Sequence, residues 1–188
     1  MNSLSLAELS ILDWIAQHCH TDWLDTIMPA ISQLGNSGAI WILLALGILV
    51  LSRRQKATGF QVLLALLLSL IICNLILKNG VGRIRPFALN EAVELLIPPP
   101  GDPSFPSGHT SASFAAATVL LLTRWQGRWA ALVLAGLIAF SRLYLYVHFP
   151  TDVLGGLVAG VLCGVLAVTI WNRWLASSPL GRKLLTGT

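Results

Sequence analysis

Charge is what this sequence has least of. Only 11% of its 188 residues are charged, against roughly a quarter in soluble domains, while 55% are hydrophobic and the mean hydropathy is +0.76. A water-soluble globular domain is thereby excluded, and the chain reads as an integral membrane protein of one domain. Cysteine is scarce too. Cys19, Cys73 and Cys163 are odd in number, far apart and form no C-x-x-C pair, which excludes a disulfide framework and a zinc site. The N-terminal stretch lacks a basic start and carries Glu8 and Asp13, so it does not read as a cleaved signal peptide, and targeting falls to the spans themselves.

What is present is apolar sequence in long segments. No charge interrupts the chain between Asp25 and Arg53, and GAIWILLALGILVL (38–51) is the oiliest part of that run. ATGFQVLLALLLSLIICNLIL (57–77) follows between Lys56 and Lys78. TSASFAAATVLLLT (110–123) is shorter and rich in small residues, which suits a helix packed inside a bundle. WAALVLAGLIAFSRLYLYV (129–147) and VLGGLVAGVLCGVLAVTIWN (153–172) complete the set. The expected fold is an all-α, polytopic transmembrane helix bundle with five firm spans. Residues 1–36 mix Leu, Ile and Trp with Asp13, His18, His20, Asp22 and Asp25, a pattern for interfacial amphipathic helices or a sixth, tilted span. Residues 37–174 form the transmembrane domain and 175–188 a tail. Gly156, Gly160 and Gly164 predict close helix packing within the fold, and Trp14, Trp23, Trp125, Trp129, Trp171 and Trp174 predict interfacial belts. His18 and His20 read as interfacial polar residues rather than ligands.

Basic residues give the orientation. Arg53, Arg54, Lys56, Arg124, Arg128, Arg173, Arg182 and Lys183 fall on one side, which the positive-inside trend makes cytoplasmic. Lys78, Arg83, Arg85 and Arg142 fall on the other and break that trend. They sit in or beside KNGVGRIRP (78–86) and SRLYLYVHFPTD (141–152), and PSGH (106–109) belongs to the same face.

These residue types suit one chemistry. A phosphate ester concentrates negative charge, and catalysis of its transfer is mostly positioning and charge stabilisation. Lys78, Arg85 and Arg142 can supply that, arginine presenting a planar fork to paired phosphate oxygens. Ser107 is a natural N-cap for the helix that follows, Gly108 lets backbone approach closely, and the exposed N–H groups favour an anion. Asp152, four residues after His148 in the first turn of the next helix, can hold one imidazole nitrogen while the other attacks phosphorus. Pro150 would set the angle between the span ending near Val147 and the one beginning near Thr151. Arg83 reads equally as a substrate contact or as surface charge. The proline-rich IPPPGDPSFP (97–106) is an irregular loop at the pocket mouth.

The three blocks fit Lys-x6-Arg-Pro, Pro-Ser-Gly-His and Ser-Arg-x5-His-x3-Asp without a departure. In this the chain resembles the type 2 phosphatidic acid phosphatase superfamily, over roughly residues 37–174. The family includes membrane lipid phosphate phosphatases and, as soluble relatives, acid phosphatases and vanadium haloperoxidases. The resemblance implies His148 as the nucleophile of a phosphohistidine intermediate, Asp152 orienting it, and His109 as general acid and then as base for water. It implies Lys78, Arg85, Ser107, Gly108 and Arg142 around the phosphate. No metal and no other cofactor is expected, since three cations could replace the magnesium used by many phosphatases. The expected partners are a lipid phosphate and the membrane, with no nucleic acid; the site should face the periplasm or exterior of an inner (plasma) membrane. Undecaprenyl diphosphate is the first candidate substrate, followed by phosphatidylglycerol phosphate and phosphatidic acid. A lipid phosphotransferase is the alternative enzyme. A non-catalytic anion transporter or binding protein would need only the cations, and His109, His148 and Asp152 argue against it.

Overall fold

The computed structural model describes residues 3–52, 54–90 and 92–179. Among them there is no strand: the fold is all-α. Helix α1 (Ser3–Cys19) and α2 (Asp22–Leu34) precede a short 3-10 turn at Asn36–Gly38 and α3 (Ala39–Leu51). Helix α4 (Lys56–Ser69) runs on through a π-helical stretch, Leu70–Leu77, into the single turn α5 (Lys78–Val81). After an irregular loop come α6 (Gly108–Leu122), α7 (Arg128–Tyr144) and α8 (Pro150–Ile170), the last extended by a π-helical turn at Trp171–Leu175.

Helix α6 is the axis of the bundle. Its Ala115, Ala116, Ala117, Val119 and Leu120 have no exposed surface, as its small-residue composition predicts. It packs most closely on α8, where the glycine series lies. A Cβ on Gly160 would stand 2.4 Å from the Ser111 carbonyl oxygen and one on Gly156 2.6 Å from that of Ser107, so these glycines bring two backbones together. Polar side chains lock neighbouring helices onto α6: Trp41 donates to Ser113 Oγ at 3.0 Å and Ser69 to Ser111 Oγ at 2.9 Å.

Two expectations change. By length and composition two helices can cross a membrane, Lys56–Ala88 and Pro150–Leu175, and three if Asp22–Leu34 and Asn36–Leu51, bent by 49°, count as one broken span. Helix α6, at 15 residues, rises only about 22 Å, short of a hydrocarbon core of about 30 Å. The charge-free run from Asp25 to Arg53 is thus two helices with a corner, and the boundary drawn at residue 36 falls on that corner. Trp171, assigned to an interfacial belt, is buried and stacks on Phe60 at 5.4 Å, whereas Trp14, Trp23, Trp129 and Trp174 are exposed. Of the basic residues used for orientation, Arg53, Arg182 and Lys183 lie outside the described residues.

Candidate active site

The stretch 141–152 does not carry its helix to Val147. Helix α7 stops at Tyr144, and Tyr146 turns left-handed with φ 57°, so His148 is not on a helix with Arg142. Tyr146 can hold that conformation because its hydroxyl donates to Asp13 at 2.6 Å and accepts from Asn90 at 3.2 Å. Pro150 then opens α8, where its missing N–H is no loss, and Asp152 accepts the N–H of Phe149 at 2.8 Å.

His148 is 1% exposed and is held from both sides. On its Nδ1 side Asp152 Oδ2 lies at 3.6 Å, longer than a hydrogen bond, and Ser104 Oγ at 3.5 Å; Ser104 itself donates to Asp152 at 2.5 Å. On its Nε2 side the Arg85 guanidinium lies at 3.3 Å. Burial pushes the imidazole down to about 3, and Arg85 and Arg142 add to this against the pull of Asp152. His148 is therefore neutral at ordinary pH.

Lys78 and Arg85 share a carboxylate that sequence reading left unassigned, Asp102 of the proline-rich loop. Lys78 Nζ donates to one oxygen, and Arg85 donates to the other and to the Asp102 carbonyl, both at 2.8 Å. Burial pushes the Asp102 carboxyl up, but Lys78 and Arg85 outweigh it and hold it at about 2. An anion thus already lies between the two cations. Arg142 is buried, donates to Ser32 of α2, and keeps Nε without a partner among the described residues. Arg83 is neither plain surface charge nor aimed at open solvent. It forks between Asp152 Oδ1 at 2.6 Å and Glu8 Oε2 at 2.5 Å, its guanidinium carbon 4.0 Å above the Phe149 ring.

Ser107 caps α6 as expected, accepting from Thr110 N–H at 3.4 Å and from its hydroxyl at 2.9 Å. Its own N–H goes to the Asp152 carbonyl at 3.0 Å, so its polar groups act within the fold, while Gly108 and His109 provide first-turn N–H groups with no intrahelical acceptor. His109 lies on a cavity of about 500 Å³ that reaches Lys78, Asp102 and Asn74 and is walled by Leu63, Leu66 and Leu70. Its Nε2 meets Asn36 Oδ1 at 2.8 Å. Among the described residues no three His, Cys, Asp or Glu side chains converge as a metal site. Sequence reasoning missed Glu8, Ser32, Asn36, Asp102 and Ser104.

Cations gathered at one end of an apolar bundle, beside a leucine-walled cavity, suit an ester whose charged head is a phosphate and whose remainder is oily. Fold and site together define a membrane lipid phosphatase. The chain belongs to the PAP2 superfamily, whose sequence profile matches residues 58–176. It is 30% identical over 148 residues to an undecaprenyl-diphosphatase of Sulfolobus acidocaldarius, covering 78% of this chain and 70% of that one. Among solved structures it is similar to LpxE of Aquifex aeolicus, with TM-score 0.73 and 29% identity over 86% of this chain and 94% of the other. It is similar also to a PAP2 type phosphatidylglycerolphosphate phosphatase of Bacillus subtilis, with TM-score 0.75 and 26% identity over 95% and 90% of the two chains.

Proposed function

We propose that this lipid phosphatase acts first on undecaprenyl diphosphate, through a phosphohistidine on His148 and without a metal. The observation that carries the reading is the two-sided setting of His148, with Nδ1 toward Asp152 and Ser104 and Nε2 toward Arg85. The Nε2 lone pair forms the N–P bond to the terminal phosphoryl group as its bond to the bridging oxygen breaks and the lipid monophosphate leaves. His109 gives a proton to the departing oxygen; it then takes one from the water that attacks the N–P bond, releasing phosphate and neutral His148. Lys78, Arg85 and Arg142, with the capped first turn at Ser107, Gly108 and His109, hold the phosphate oxygens. The phosphate takes the place between Lys78 and Arg85 that Asp102 fills in its absence. Residues 37–174 are the catalytic transmembrane domain, residues 1–36 brace it at the interface, and 175–188 form a cytoplasmic tail. The helices cross an inner membrane with the site outward.

The undecaprenyl-diphosphatase relative supports the first substrate, and the resemblance to the phosphatidylglycerolphosphate phosphatase supports phosphatidylglycerol phosphate as the second. The test is phosphate release by the purified protein from undecaprenyl diphosphate, phosphatidylglycerol phosphate and phosphatidic acid in excess EDTA. Release should persist and be fastest on undecaprenyl diphosphate. Loss in EDTA with rescue by magnesium would remove the metal-free mechanism, and a faster monoester would change the substrate.

A further inference from the structure

The corner Gly35-Asn36-Ser37-Gly38 lies outside the residues matched by the superfamily profile and outside all three sequence blocks. Yet it is built against His109. Asn36 Oδ1 is 2.8 Å from His109 Nε2, and a carbonyl oxygen can only accept, so this bond fixes a proton on Nε2. Gly35 supplies the room for the ring: a Cβ there would stand 2.8 Å from His109 Cδ2 and 2.9 Å from Ile138 Cγ2. Ser37 and Gly38 are both left-handed, with φ 52° and 68°, and Gly38 N–H closes the turn on the Gly35 carbonyl at 3.1 Å. A non-glycine residue in that region carries strain that persists where its surroundings over-determine it.

We propose that Asn36 is a positioning residue for phosphoryl transfer, holding His109 by Nε2 so that Nδ1 is the nitrogen that exchanges protons with the substrate. The inference rests on His109 being the acid and base of the proposed mechanism. In the first half-reaction the ring starts doubly protonated beside the bound phosphate; its Nδ1 proton passes to the leaving oxygen as the P–O bond breaks, and Nε2–H remains on the ring, donated to Asn36 Oδ1. In the second, Nδ1 takes the proton of the attacking water. The groups facing His109 explain why the partner is an amide. Lys78 and Asp102 line the same cavity, and Arg142, His148, Lys78 and Arg85 all act on the ring against its protonation. A neutral acceptor orients the ring without adding an anion that competes with phosphate for those cations.

The test compares wild type, His109→Ala, Asn36→Ala and the nearly isosteric Asn36→Asp in detergent. Phosphatidic acid, with a poor alkoxide leaving group, is set against p-nitrophenyl phosphate, and kcat, KM, pH profile and thermal midpoint are measured. His109→Ala should lose far more kcat/KM, which reports formation of the phosphoenzyme, on the lipid than on the activated ester, while kcat on both falls because water is no longer activated. Asn36→Ala should show the same discrimination on a smaller scale, kcat/KM on the lipid falling about 10-fold to 100-fold, the range found for outer partners of metal-ligating histidines. Asn36→Asp should recover most of that loss and move the alkaline limb of kcat/KM up by about one pH unit, because a carboxylate favours the protonated ring. Equal losses of kcat/KM on both substrates in Asn36→Ala, or an unmoved alkaline limb in Asn36→Asp, overturn the proposal while leaving the mechanism standing if His109→Ala discriminates. If His109→Ala does not discriminate, the acid assignment falls and the role of Asn36 with it. Should the alanine variant not fold, Asn36→Asp carries the test through its pH profile.

Discussion

The two histidines of this site differ in their access to the cavity. His148 is sealed in, between a carboxylate and serine on one side and an arginine on the other, whereas His109 borders a cavity of about 500 Å³. The difference matches what the proposed roles demand. A nucleophile must keep its lone pair, and burial among cations ensures that by opposing protonation. An acid that becomes a base must reach a leaving group and then water, so it needs an open side.

The strongest way to break this comparison is to remove each ring. His148→Ala should abolish any acid-labile phosphoenzyme and lower kcat by several orders of magnitude, because no other group takes the phosphoryl. His109→Ala should still form phosphohistidine on p-nitrophenyl phosphate, with turnover down by about 10²–10⁴-fold because water is no longer activated. Trapped phosphate on the His148→Ala protein, or on His109, would show the roles exchanged or the intermediate elsewhere.

The settings also differ in how legible they were. Lys78, Arg85, His109, Arg142, His148 and Asp152 stand out because rare polar residues at fixed spacing interrupt apolar sequence. Their supports come from far along the chain, where spacing says nothing: Glu8 reaches Arg83, Ser32 reaches Arg142 and Asn36 reaches His109. Asp102 offered one signal, an acid fixed among prolines just before PSGH in a loop that had to face the cations. The helix content was readable from apolar runs, but their ends were not. Tyr146 ends α7 through a left-handed turn held by Asp13, and a corner at residues 35–38 divides a run that carries no charge to mark it.

A smaller effect sharpens the comparison from the His148 side. Arg83 holds the outer oxygen of Asp152 and is itself held by Glu8, which is buried and also accepts from Thr151 N–H at 2.9 Å. Arg83→Ala removes the cation shared by two buried carboxylates and leaves Asp152 Oδ1 without its guanidinium, while Ser104 and the Phe149 N–H still hold Oδ2. Activity should fall about 10-fold to 100-fold, the range for outer partners of metal-ligating groups, which orient their ligands in the same way. Glu8→Ala should be non-additive with it in a double-mutant cycle, since the two share one network. Full activity in Arg83→Ala would return that arginine to surface charge.

The smallest effect is one of stability, and its sign follows from the burial of His148. The group is held down at about 3, below the ordinary histidine range, by burial and by Arg85 and Arg142, with Asp152 pulling the other way. Folded, it therefore stays neutral as pH falls, while the unfolded chain takes up a proton below about 6.5. Where the unfolded state binds more protons, stability rises with pH. The contribution is fully present above about pH 6.5 and is lost progressively as pH falls toward 3. Asp102, already down at about 2, loses its charge only below that window in the fold, and the unfolded carboxyl adds to the loss only near pH 4. The thermal midpoint in detergent should thus drop between pH 7 and pH 5, before carboxylates contribute. His148→Gln, which cannot titrate, should reduce that drop and leave the part due to His109, itself held down at about 2 by burial and by Arg142. A slope unchanged in the variant would mean that His148 is not the buried neutral group its surroundings make it.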